Sequence, residues 1–275
     1  MQGTRLDPGI EAVVKLGHCV SSAVSSVVVA RTKSAELRAE ALPPHTVQWA
    51  EGTPLVFRRP LAAVASDIEA PSRSRAAAVF KRLVDVVGGG LALVVLAPVF
   101  AVIALLVKAT SRGPVLFAQD RVGKGGQLFR FYKFRTMVLD AEARKAELEH
   151  LNEMSGPIFK IARDPRVTRV GAWLRKSSLD ELPQLWNVLK GDMSLVGPRP
   201  PLPDEVERYT KREAQRLSVT PGMTGLWQVS GRSTISGFDV WVDIDLRYVN
   251  EWSVWLDLKI LAKTPFVVIS ARGAL

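Results

Sequence analysis

The chain has almost no cysteine and little histidine. Cys19 is the one cysteine in 275 residues, and there are three histidines. A single cysteine excludes an intramolecular disulfide framework, and so few soft ligands leave little for a zinc site. A hard cation such as Mg²⁺ is still compatible with the composition, because it needs only one or two carboxylates together with substrate phosphates.

Nucleic-acid-binding signatures are also missing. The net charge is +10, which favours an anionic partner. No helix-turn-helix, RNP or zinc-finger pattern occurs, so nucleic acid is the weaker choice among anionic partners. The basic residues flank an apolar segment, which favours a membrane surface over nucleic acid.

The first quarter of the chain carries weak signals. An apolar stretch at residues 17–30 is too short to span a bilayer, and no clear signal-peptide cleavage site follows it. Prolines among charged residues in 31–75 favour an extended linker. We therefore expect residues 1–79 to be an extension of unknown role.

A long run without charge follows. The 22 residues from Val86 to Val107 would form a helix of roughly 33 Å, enough to cross the hydrocarbon core. However, Pro98 near its middle predicts a kink, and basic residues flank both ends, whereas the positive-inside rule requires one basic end. A re-entrant helix that bends at Pro98 and returns to the same face satisfies both observations. A plain transmembrane helix with a tolerated proline is the alternative.

The segment after the apolar run is basic and punctuated by glycine. The run Gly123-Lys-Gly-Gly126 lacks the Lys-Ser/Thr context of a phosphate loop and predicts a hairpin turn. Residues 128–137 partly alternate apolar and basic side chains, which predicts a strand. The basic side chains of this segment are Arg121, Lys124, Arg130, Lys133 and Arg135.

Several helices are predicted in the remaining chain. Residues 140–154 predict a solvated helix, and residues 204–217 a charged one. Residues 168–176 predict a short helix with Val170, Trp173 and Leu174 buried. Residues 252–269, with Trp252 and Trp255, predict a helix at a membrane interface, and an ordinary amphipathic core helix is the alternative.

An adjacent acid pair, Asp180 and Glu181, lies at a predicted helix start. Pro183 is tolerated only in a first helical turn, which places that start at about residues 178–180. Free N–H groups and the helix dipole favour negative charge there, and they also attract phosphate. Arg175 precedes the pair and Arg199 follows it. The simpler interpretation is that Asp180 is an N-cap.

Five ordered motifs carry a resemblance to a known family. Residues 80–275 are similar to the bacterial sugar transferases, the monotopic polyprenyl-phosphate phosphoglycosyl transferases that start cell-surface glycan assembly. The motifs are Lys81-Arg-Leu-Val-Asp85, Lys133-Phe-Arg-Thr-Met137, Leu174-Arg-Lys-Ser-Ser-Leu-Asp-Glu-Leu-Pro-Gln184, Gly197-Pro-Arg-Pro200, and Pro221-Gly-Met-Thr-Gly-Leu-Trp-Gln228 with Ser230-Gly-Arg232.

The resemblance implies an α+β fold. It would be a small, mostly helical catalytic domain with a short β-hairpin, facing the cytoplasm at the bacterial inner membrane. Residues 80–112 would form a re-entrant, monotopic membrane helix kinked at Pro98, and residues 113–275 the catalytic domain with a C-terminal interfacial helix. Larger family members carry four transmembrane helices ahead of this part, and nothing in residues 1–79 predicts such a bundle. A homodimer is compatible with the resemblance.

The resemblance also implies a reaction. A sugar-1-phosphate would pass from a UDP-sugar to undecaprenyl phosphate, with release of UMP, and a hexose is weakly favoured. Asp180 would be the nucleophile that forms an aspartyl-phosphosugar, Glu181 would complete the dyad, and Mg²⁺ would bind at Asp180 and the diphosphate. Arg175, Arg199, Lys133 and Arg135 would lie near phosphate, and Arg232 near the nucleotide.

General chemistry agrees with these roles. A carboxylate can act as a covalent nucleophile, and phosphoryl transfer depends on positioning and positive charge. The competing interpretation is a non-catalytic scaffold that binds anionic membrane lipids. It accounts for the charge and the apolar segment, but it does not explain an acid pair beside arginines.

Overall fold

The computed structural model of the chain describes residues 60–69, 71–153, 159, 161, 163–231 and 237–269. The predictions made for residues 1–59 and for Arg232 lie outside this part. The helices are α1 (Leu61–Ala65), α2 (Arg75–Thr110), α3 (Arg169–Lys176), α4 (Gln184–Lys190), α5 (Pro203–Val206), α6 (Lys211–Ala214), α7 (Leu226–Val229), α8 (Phe238–Glu251) and α9 (Val254–Ile269). The strands are β1 (Leu116–Val122), β2 (Leu128–Phe134), β3 (Ser194–Val196) and β4 (Gly222–Thr224). The described fold is therefore mostly helical with short strands, which confirms the predicted α+β character.

Helix α2 contains the predicted apolar segment. It has 36 residues, includes Pro98, and is long and apolar enough to cross a membrane by length and composition. Side chains around its middle are largely exposed, among them Leu91, Val94 and Val95 at 64%, 74% and 63%. Exposed apolar surface of this extent marks a surface that meets lipid or another apolar partner.

Polar side chains attach the first part of α2 to the rest of the fold. Lys81 Nζ donates to the Val196 carbonyl at 2.9 Å and to Asp257 Oδ2 at 2.7 Å. Asp85 Oδ1 accepts hydrogen bonds from Ser194 Oγ and from the Leu195 backbone N–H, both at 2.9 Å. The predicted motif Lys81 to Asp85 therefore fastens α2 to strand β3 and helix α9.

Apolar contacts attach the last part of α2 to the same domain. Ile103 and Val107 are 1% and 2% exposed and form a core cluster with Phe134 of β2 and Leu174 of α3. The helix therefore contacts the domain at both of its ends.

Strands β1 and β2 form the predicted hairpin. They pair antiparallel, with Phe117 opposite Lys133 and Arg121 opposite Phe129. Gly125 in the turn has a φ of 67°, a left-handed conformation that glycine adopts without a steric penalty. Strand β2 ends at Phe134, so it is shorter than the predicted strand over residues 128–137.

Strands β3 and β4 form a second, parallel pair that the sequence pattern did not predict. The Gly197 N–H donates to the Thr224 carbonyl at 2.8 Å, and the Gly222 N–H donates to the Pro198 carbonyl at 2.9 Å. A Cβ atom on Gly222 would lie 2.0 Å from the Gly197 nitrogen, so a side chain cannot be accommodated there. Two of the family motifs are thus packed backbone against backbone.

Two predicted helices have a different form. Residues 140–154 contain a 3₁₀ helix over Ala143–Leu151 in which no residue is buried, so no apolar face packs to support a longer α-helix. Residues 204–217 are divided into α5, α6 and a 3₁₀ turn over Gln215–Ser218. The division occurs because Thr210 begins a new helix, where its side chain accepts a hydrogen bond from the Glu213 N–H in a capping box.

Helix α3 confirms one buried position and corrects another. Leu174 is fully buried, whereas Trp173 is 52% exposed, so the prediction that Trp173 is buried was wrong. Neighbouring helical residues point about 100° apart, and in so short a helix only one narrow face packs inward.

Helix α9 has two different faces. Ile260 is buried in a cluster with Tyr248 and Val249 of α8, whereas Trp255 and Phe266 are 65% and 75% exposed. The helix therefore packs on the core through one face, as an amphipathic core helix does, and exposes large apolar side chains on the other. Its location at a membrane interface stays a prediction.

Candidate functional site

The acid pair lies in a 3₁₀ turn ahead of helix α4. The turn spans Leu179–Glu181, and α4 begins only at Gln184, because Pro183 takes the N-cap position of that helix. The helical turn thus begins at Leu179, within the predicted start at about residues 178–180, and the α-helix itself begins at Gln184. The N-cap of the turn is Ser178, and no side chain makes a capping hydrogen bond there, so the interpretation of Asp180 as an N-cap was wrong.

Ser178 has an unusual backbone conformation. Its φ of 55° is the one positive value at a non-glycine residue within the described ranges. A left-handed conformation at such a residue costs of order 1 kcal/mol and persists only where its surroundings enforce it. The strained residue directly precedes the turn that presents Asp180 and Glu181.

Asp180 is a buried carboxylate, with an exposed fraction of 7%. Burial, together with the neighbouring charge of Glu181, raises the pKa of Asp180 to about 6, against the opposing effect of Lys133, Arg175 and Arg199. At neutral pH the group is therefore mainly ionised but poorly hydrated. A carboxylate in that state is a better nucleophile than one exposed to water.

Glu181 and Arg199 form an ion pair beside Asp180. Arg199 Nη1 donates to Glu181 Oε1 at 2.9 Å. Arg199 lies in the segment Gly197-Pro-Arg-Pro200, which the parallel pairing of β3 with β4 supports from one side. The second acid thus holds a cation next to the first.

Arg175 reaches the site from helix α3. Its Nε donates to Thr136 Oγ1 at 3.0 Å. Helix α3 packs closely on the segment after β2, because a Cβ on Gly171 would lie only 2.0 Å from the Thr136 carbonyl oxygen. The contact brings two motifs together that are far apart in the sequence.

Lys133 lies on strand β2 with its side chain half-buried. Burial, together with the nearby charges of Arg175 and Arg121, lowers the pKa of Lys133 to about 8, whereas Asp180 opposes this shift. The ammonium group lies 5.0 Å from the ring centroid of Phe117. Its positive charge is therefore sensitive to pH in a range where arginine is not.

Arg135, the residue after strand β2, contacts the C-terminal end of helix α2. Its Nη2 donates to the carbonyl and the hydroxyl of Ser111, at 2.9 and 2.7 Å. Its Nε and Nη1 are buried and have no hydrogen-bond partner within the described part of the chain. With Lys133 and Thr136 it lines a cavity of about 240 Å³. Its role in phosphate binding stays a prediction.

Arg121 belongs to the same face of the hairpin as Lys133, and the sequence analysis did not select it as a site residue. Its Nη1 donates to the Pro200 carbonyl at 2.9 Å, next to Arg199. Burial, together with the positive charge of Arg199, lowers the pKa of Arg121 to about 10. The hairpin register would have revealed it, because Phe117 pairs with Lys133 and residues separated by an even number share a face.

Carboxylates for a magnesium ion are few. Within the described ranges no group of three or more His, Cys, Asp or Glu side chains could hold a metal. Asp180 and Glu181 supply carboxylate oxygens at the site, and Glu181 is paired with Arg199. This donor set fits an ion whose remaining ligands come from a bound diphosphate and water, as Mg²⁺ sites of this kind do. It does not fit an all-protein cage.

Two residues of the motif Pro221 to Gln228, Trp227 and Gln228, have side chains that could contact a ligand. Trp227 stacks on Trp241 with ring centroids 4.1 Å apart, so it is a packing residue of the core. Gln228 is 7% exposed, and neither atom of its amide has a hydrogen-bond partner among the described residues. Arg232 lies outside the described residues, so its predicted contact with a nucleotide stays a prediction.

Comparisons with known proteins cover the part of the chain that holds these residues. A profile of the family described as "Bacterial sugar transferase" matches residues 76–271. The chain is 49% identical over 194 residues to galactosyl transferase CpsE of Streptococcus agalactiae serotype III. It is 45% identical over 205 residues to undecaprenyl-phosphate galactose phosphotransferase of Salmonella typhimurium, and 43% over 198 residues to exopolysaccharide production protein ExoY of Rhizobium meliloti.

The matched segments cover different shares of these relatives. About 70% of this chain aligns with 43% of the Streptococcus protein, and 73% aligns with 42% of the Salmonella protein. The alignment with ExoY covers 70% of this chain and 87% of ExoY. The chain thus spans less than half the length of the first two relatives and most of the third.

Proposed function

Because this chain belongs to the bacterial sugar transferase family, we propose that it transfers a sugar-1-phosphate from a UDP-sugar to undecaprenyl phosphate and releases UMP. The observation that carries the proposal is Asp180, a buried carboxylate whose pKa is raised to about 6 amid the charges of Lys133, Arg175 and Arg199. The names of the Salmonella and Rhizobium relatives support a lipid-phosphate acceptor, a hexose and exopolysaccharide synthesis.

The first step forms a covalent intermediate. A carboxylate oxygen of Asp180 attacks the β-phosphorus of the UDP-sugar, and the bond from that phosphorus to the bridging oxygen breaks. UMP leaves with the bridging oxygen and its electron pair, so an aspartyl-phosphosugar remains. The negative charge that develops on the phosphoryl oxygens lies in the field of Arg175, Arg199 and Lys133, and electrostatic stabilisation of this kind is the main requirement of phosphoryl transfer.

The second step transfers the sugar phosphate to the lipid. A phosphate oxygen of undecaprenyl phosphate attacks the phosphorus of the intermediate, and the bond from phosphorus to the Asp180 oxygen breaks. The carboxylate is regenerated, and the product is a sugar linked to the lipid through a diphosphate. Glu181 takes no part in bond changes and holds Arg199 in place through their ion pair.

Asp180, together with the donor diphosphate, would hold Mg²⁺. The ion would supply neutralisation of diphosphate charge and polarisation of its oxygens. A nearby cation also favours the ionised form of a carboxylate whose pKa burial has raised.

We propose that the chain is monotopic at the cytoplasmic face of the inner membrane, with α2 as a re-entrant helix bent at Pro98. The two ends of α2 contact the same domain, through Lys81 and Asp85 at one end and Ile103 and Val107 at the other. A helix that crossed the bilayer would place its ends on opposite faces. Its exposed apolar middle supports immersion in lipid.

UMP release tests the proposed activity. The detergent-solubilised full chain is incubated with Mg²⁺, undecaprenyl phosphate and a panel of UDP-sugars that includes UDP-galactose and UDP-glucose. We expect release that depends on the lipid and the metal, and the active donor identifies the sugar. Asp180→Asn should lower the rate by about 10³-fold or more, because loss of a covalent nucleophile has effects of that size.

Asp239→Asn is the matched control, because Asp239 is an exposed acid in the first turn of α8. It should leave the rate unchanged. If no donor supports release while the wild-type protein remains bound to membranes, the transferase proposal fails and the non-catalytic lipid-binding scaffold becomes the better explanation.

A further inference from the structure

A second cavity opens beside the acid pair, on the side of the C-terminal helix. Its volume is about 260 Å³. The lining includes Ser178, Leu179 and Glu181 at the turn ahead of α4, and Leu261 and Val268 of α9. The two proposed reaction steps do not involve this cavity.

The lining is mostly apolar. Its apolar side chains are Leu179, Leu182, Leu195, Met223, Val229, Leu261, Val267 and Val268. The hydroxyl groups of Thr224 and Thr264 form a hydrogen bond with each other at 2.9 Å, and Thr264 Oγ1 also donates to the Ile260 carbonyl. Both hydroxyl groups therefore already have hydrogen-bond partners. Ser177 Oγ donates to the Trp173 and Leu174 carbonyls, and Glu181 is paired with Arg199. The lining therefore offers few of the several hydrogen-bond partners that a nucleoside or a sugar needs.

One polar group in the lining is available. The Gln228 amide is buried, and neither its nitrogen nor its oxygen has a hydrogen-bond partner in the part that the structure describes. An apolar pocket with a single free amide fits a ligand with a long hydrocarbon part and a polar head.

Residues that line the cavity contact α2 and α9, the two helices that carry exposed apolar surface. Leu179 and Leu182 pack against the cluster that holds Ile103 and Val107 of α2. A Cβ on Gly88 of α2 would lie 3.0 Å from Leu195 Cδ1. Helix α9, which also lines the cavity, exposes Trp255 and Phe266 on its outer side. The cavity therefore adjoins both helices whose exposed apolar side chains would meet lipid, and Glu181 of the acid pair is part of its lining.

We propose that this cavity binds the isoprene units next to the phosphate of the polyprenyl acceptor, so that the acceptor phosphate is delivered to Asp180 from the side of α9. This inference rests on the proposed function and assigns a subsite within it. It makes Leu261, Met223 and Val268 determinants of acceptor specificity, and it separates the acceptor from the donor, whose charged groups lie on the side of Lys133 and Arg175.

The test compares the two half-reactions. Exchange of labelled UMP into UDP-sugar reports the donor step and needs no lipid, whereas product formation needs the acceptor. Val268→Trp places a larger side chain in the cavity, at a partly exposed position of its lining. Phe266→Trp is the matched control, because Phe266 lies on the same helix, is 75% exposed and is outside the lining. Acceptors are undecaprenyl phosphate and phosphates of one, two and three isoprene units.

For the wild type we expect kcat/KM to rise with each added isoprene unit until the cavity is filled. Val268→Trp should keep UMP exchange within about twofold of wild type and lose at least tenfold in kcat/KM for undecaprenyl phosphate, which corresponds to about 1.4 kcal/mol of transition-state binding. Phe266→Trp should change neither value.

Two results overturn the subsite. One is equal behaviour of the two tryptophan variants, and the other is an equal loss of exchange and transfer in Val268→Trp, which would place the donor in the cavity. Absence of UMP exchange in the wild type itself would instead refute the covalent mechanism, and the subsite would fall with it.

A second measurement uses the unmodified protein and does not depend on how a variant folds. A polyprenyl phosphate with a photoreactive diazirine on its first isoprene unit should label peptides that contain Met223 or Leu261. Labelling confined to the outer face of α9 or to the middle of α2 would overturn the assignment.

Discussion

The Asp180 carboxylate is ionised at a cost to folding. Because burial raises its pKa to about 6, above the usual value for aspartate, the folded protein binds this proton more tightly than the unfolded chain does. The group therefore lowers the free energy of unfolding progressively as the pH rises from about 4 to about 6, by about 1–3 kcal/mol in total.

Asp180→Asn should relieve this cost. An amide has a similar shape and no charge, so we expect the variant to melt about 3 °C or more above wild type at pH 8, with a smaller difference at pH 4.5. Thermal unfolding without Mg²⁺ or UDP-sugar measures both values, and Asp239→Asn should show neither difference. A lower melting temperature for Asp180→Asn at pH 8 would mean that attraction to Lys133, Arg175 and Arg199 outweighs the burial of the charge.

Lys133 should set the alkaline limit of activity. Its pKa is lowered to about 8, so its charge is lost as the pH rises above that value. For the donor half-reaction, kcat/KM should therefore fall above about pH 8, because this parameter reports the ionisation of the free enzyme. Lys133→Arg retains its charge up to a pKa above about 12 and should move the alkaline limb upward while the acid limb stays. An unchanged alkaline limb would assign it to another group.

At the scale of elements, glycines decide which segments can meet. Gly171 in helix α3 lies against the backbone of Thr136, and through this contact Arg175 reaches the Thr136 hydroxyl. Gly197 and Gly222 serve the same purpose in the pairing of β3 with β4. The motifs that looked like separate catalytic signatures are in part packing requirements.

Gly171→Ala tests this view of helix α3. The added methyl group would lie 2.0 Å from the Thr136 carbonyl oxygen, so helix and segment must separate. We expect a loss of about 2–4 kcal/mol in the free energy of unfolding, as for other overpacked sites, and a fall in kcat through displacement of Arg175. Denaturant unfolding measures the first effect. Gly237→Ala is the control, because its Cβ would lie 3.6 Å from Val240 Cγ2, an ordinary contact.

Local patterns predicted the elements that depend on local signals. The hairpin followed from its turn glycines and alternating side chains, and the long apolar helix from its lack of charge. The pairing of β3 with β4 could not be predicted, because each strand has three residues and the pairing rests on a backbone approach between distant segments. The 3₁₀ turn at Asp180 was missed for a related reason, since Pro183 is compatible with both a first helical turn and an N-cap position.

The sequence predicted which residues form the candidate site better than it predicted their arrangement. The resemblance named Asp180, Glu181, Arg175, Arg199 and Lys133, and the structure brings these residues into electrostatic contact. Their roles in catalysis, and the binding of Mg²⁺ at Asp180, stay predictions. Arg121 and Thr136 were not selected, because their importance depends on the register of the hairpin and on helix packing, which one sequence does not reveal.

At the scale of the whole molecule, the family match confirms the resemblance drawn from the motifs. The match begins at residue 76, close to the start of helix α2 at Arg75. The predicted domain boundaries at 79/80 and 112/113 stay predictions, as does the homodimer. The proposed monotopic topology can be tested, because it requires both ends of α2 to lie on one side of the membrane.

Cysteine labelling can decide this topology. In a Cys19→Ser background, Ser72→Cys and Thr110→Cys place single exposed thiols near the two ends of α2. For a re-entrant helix, a membrane-impermeant maleimide should label both positions in inside-out vesicles and neither in intact spheroplasts. Labelling of the two positions from opposite sides would refute the re-entrant helix and favour a plain transmembrane span.

The polar attachment of α2 has a consequence for biogenesis. Asp85 lies at the edge of the apolar run, and in an isolated helix its carboxylate would enter the lipid boundary without a partner. Its partners, Ser194 and Leu195, are more than a hundred residues later in the chain, so they leave the ribosome only after the helix has been made. In the proposed topology, the Asp85 carboxylate therefore gains these partners only after strand β3 has been translated and has folded against α2.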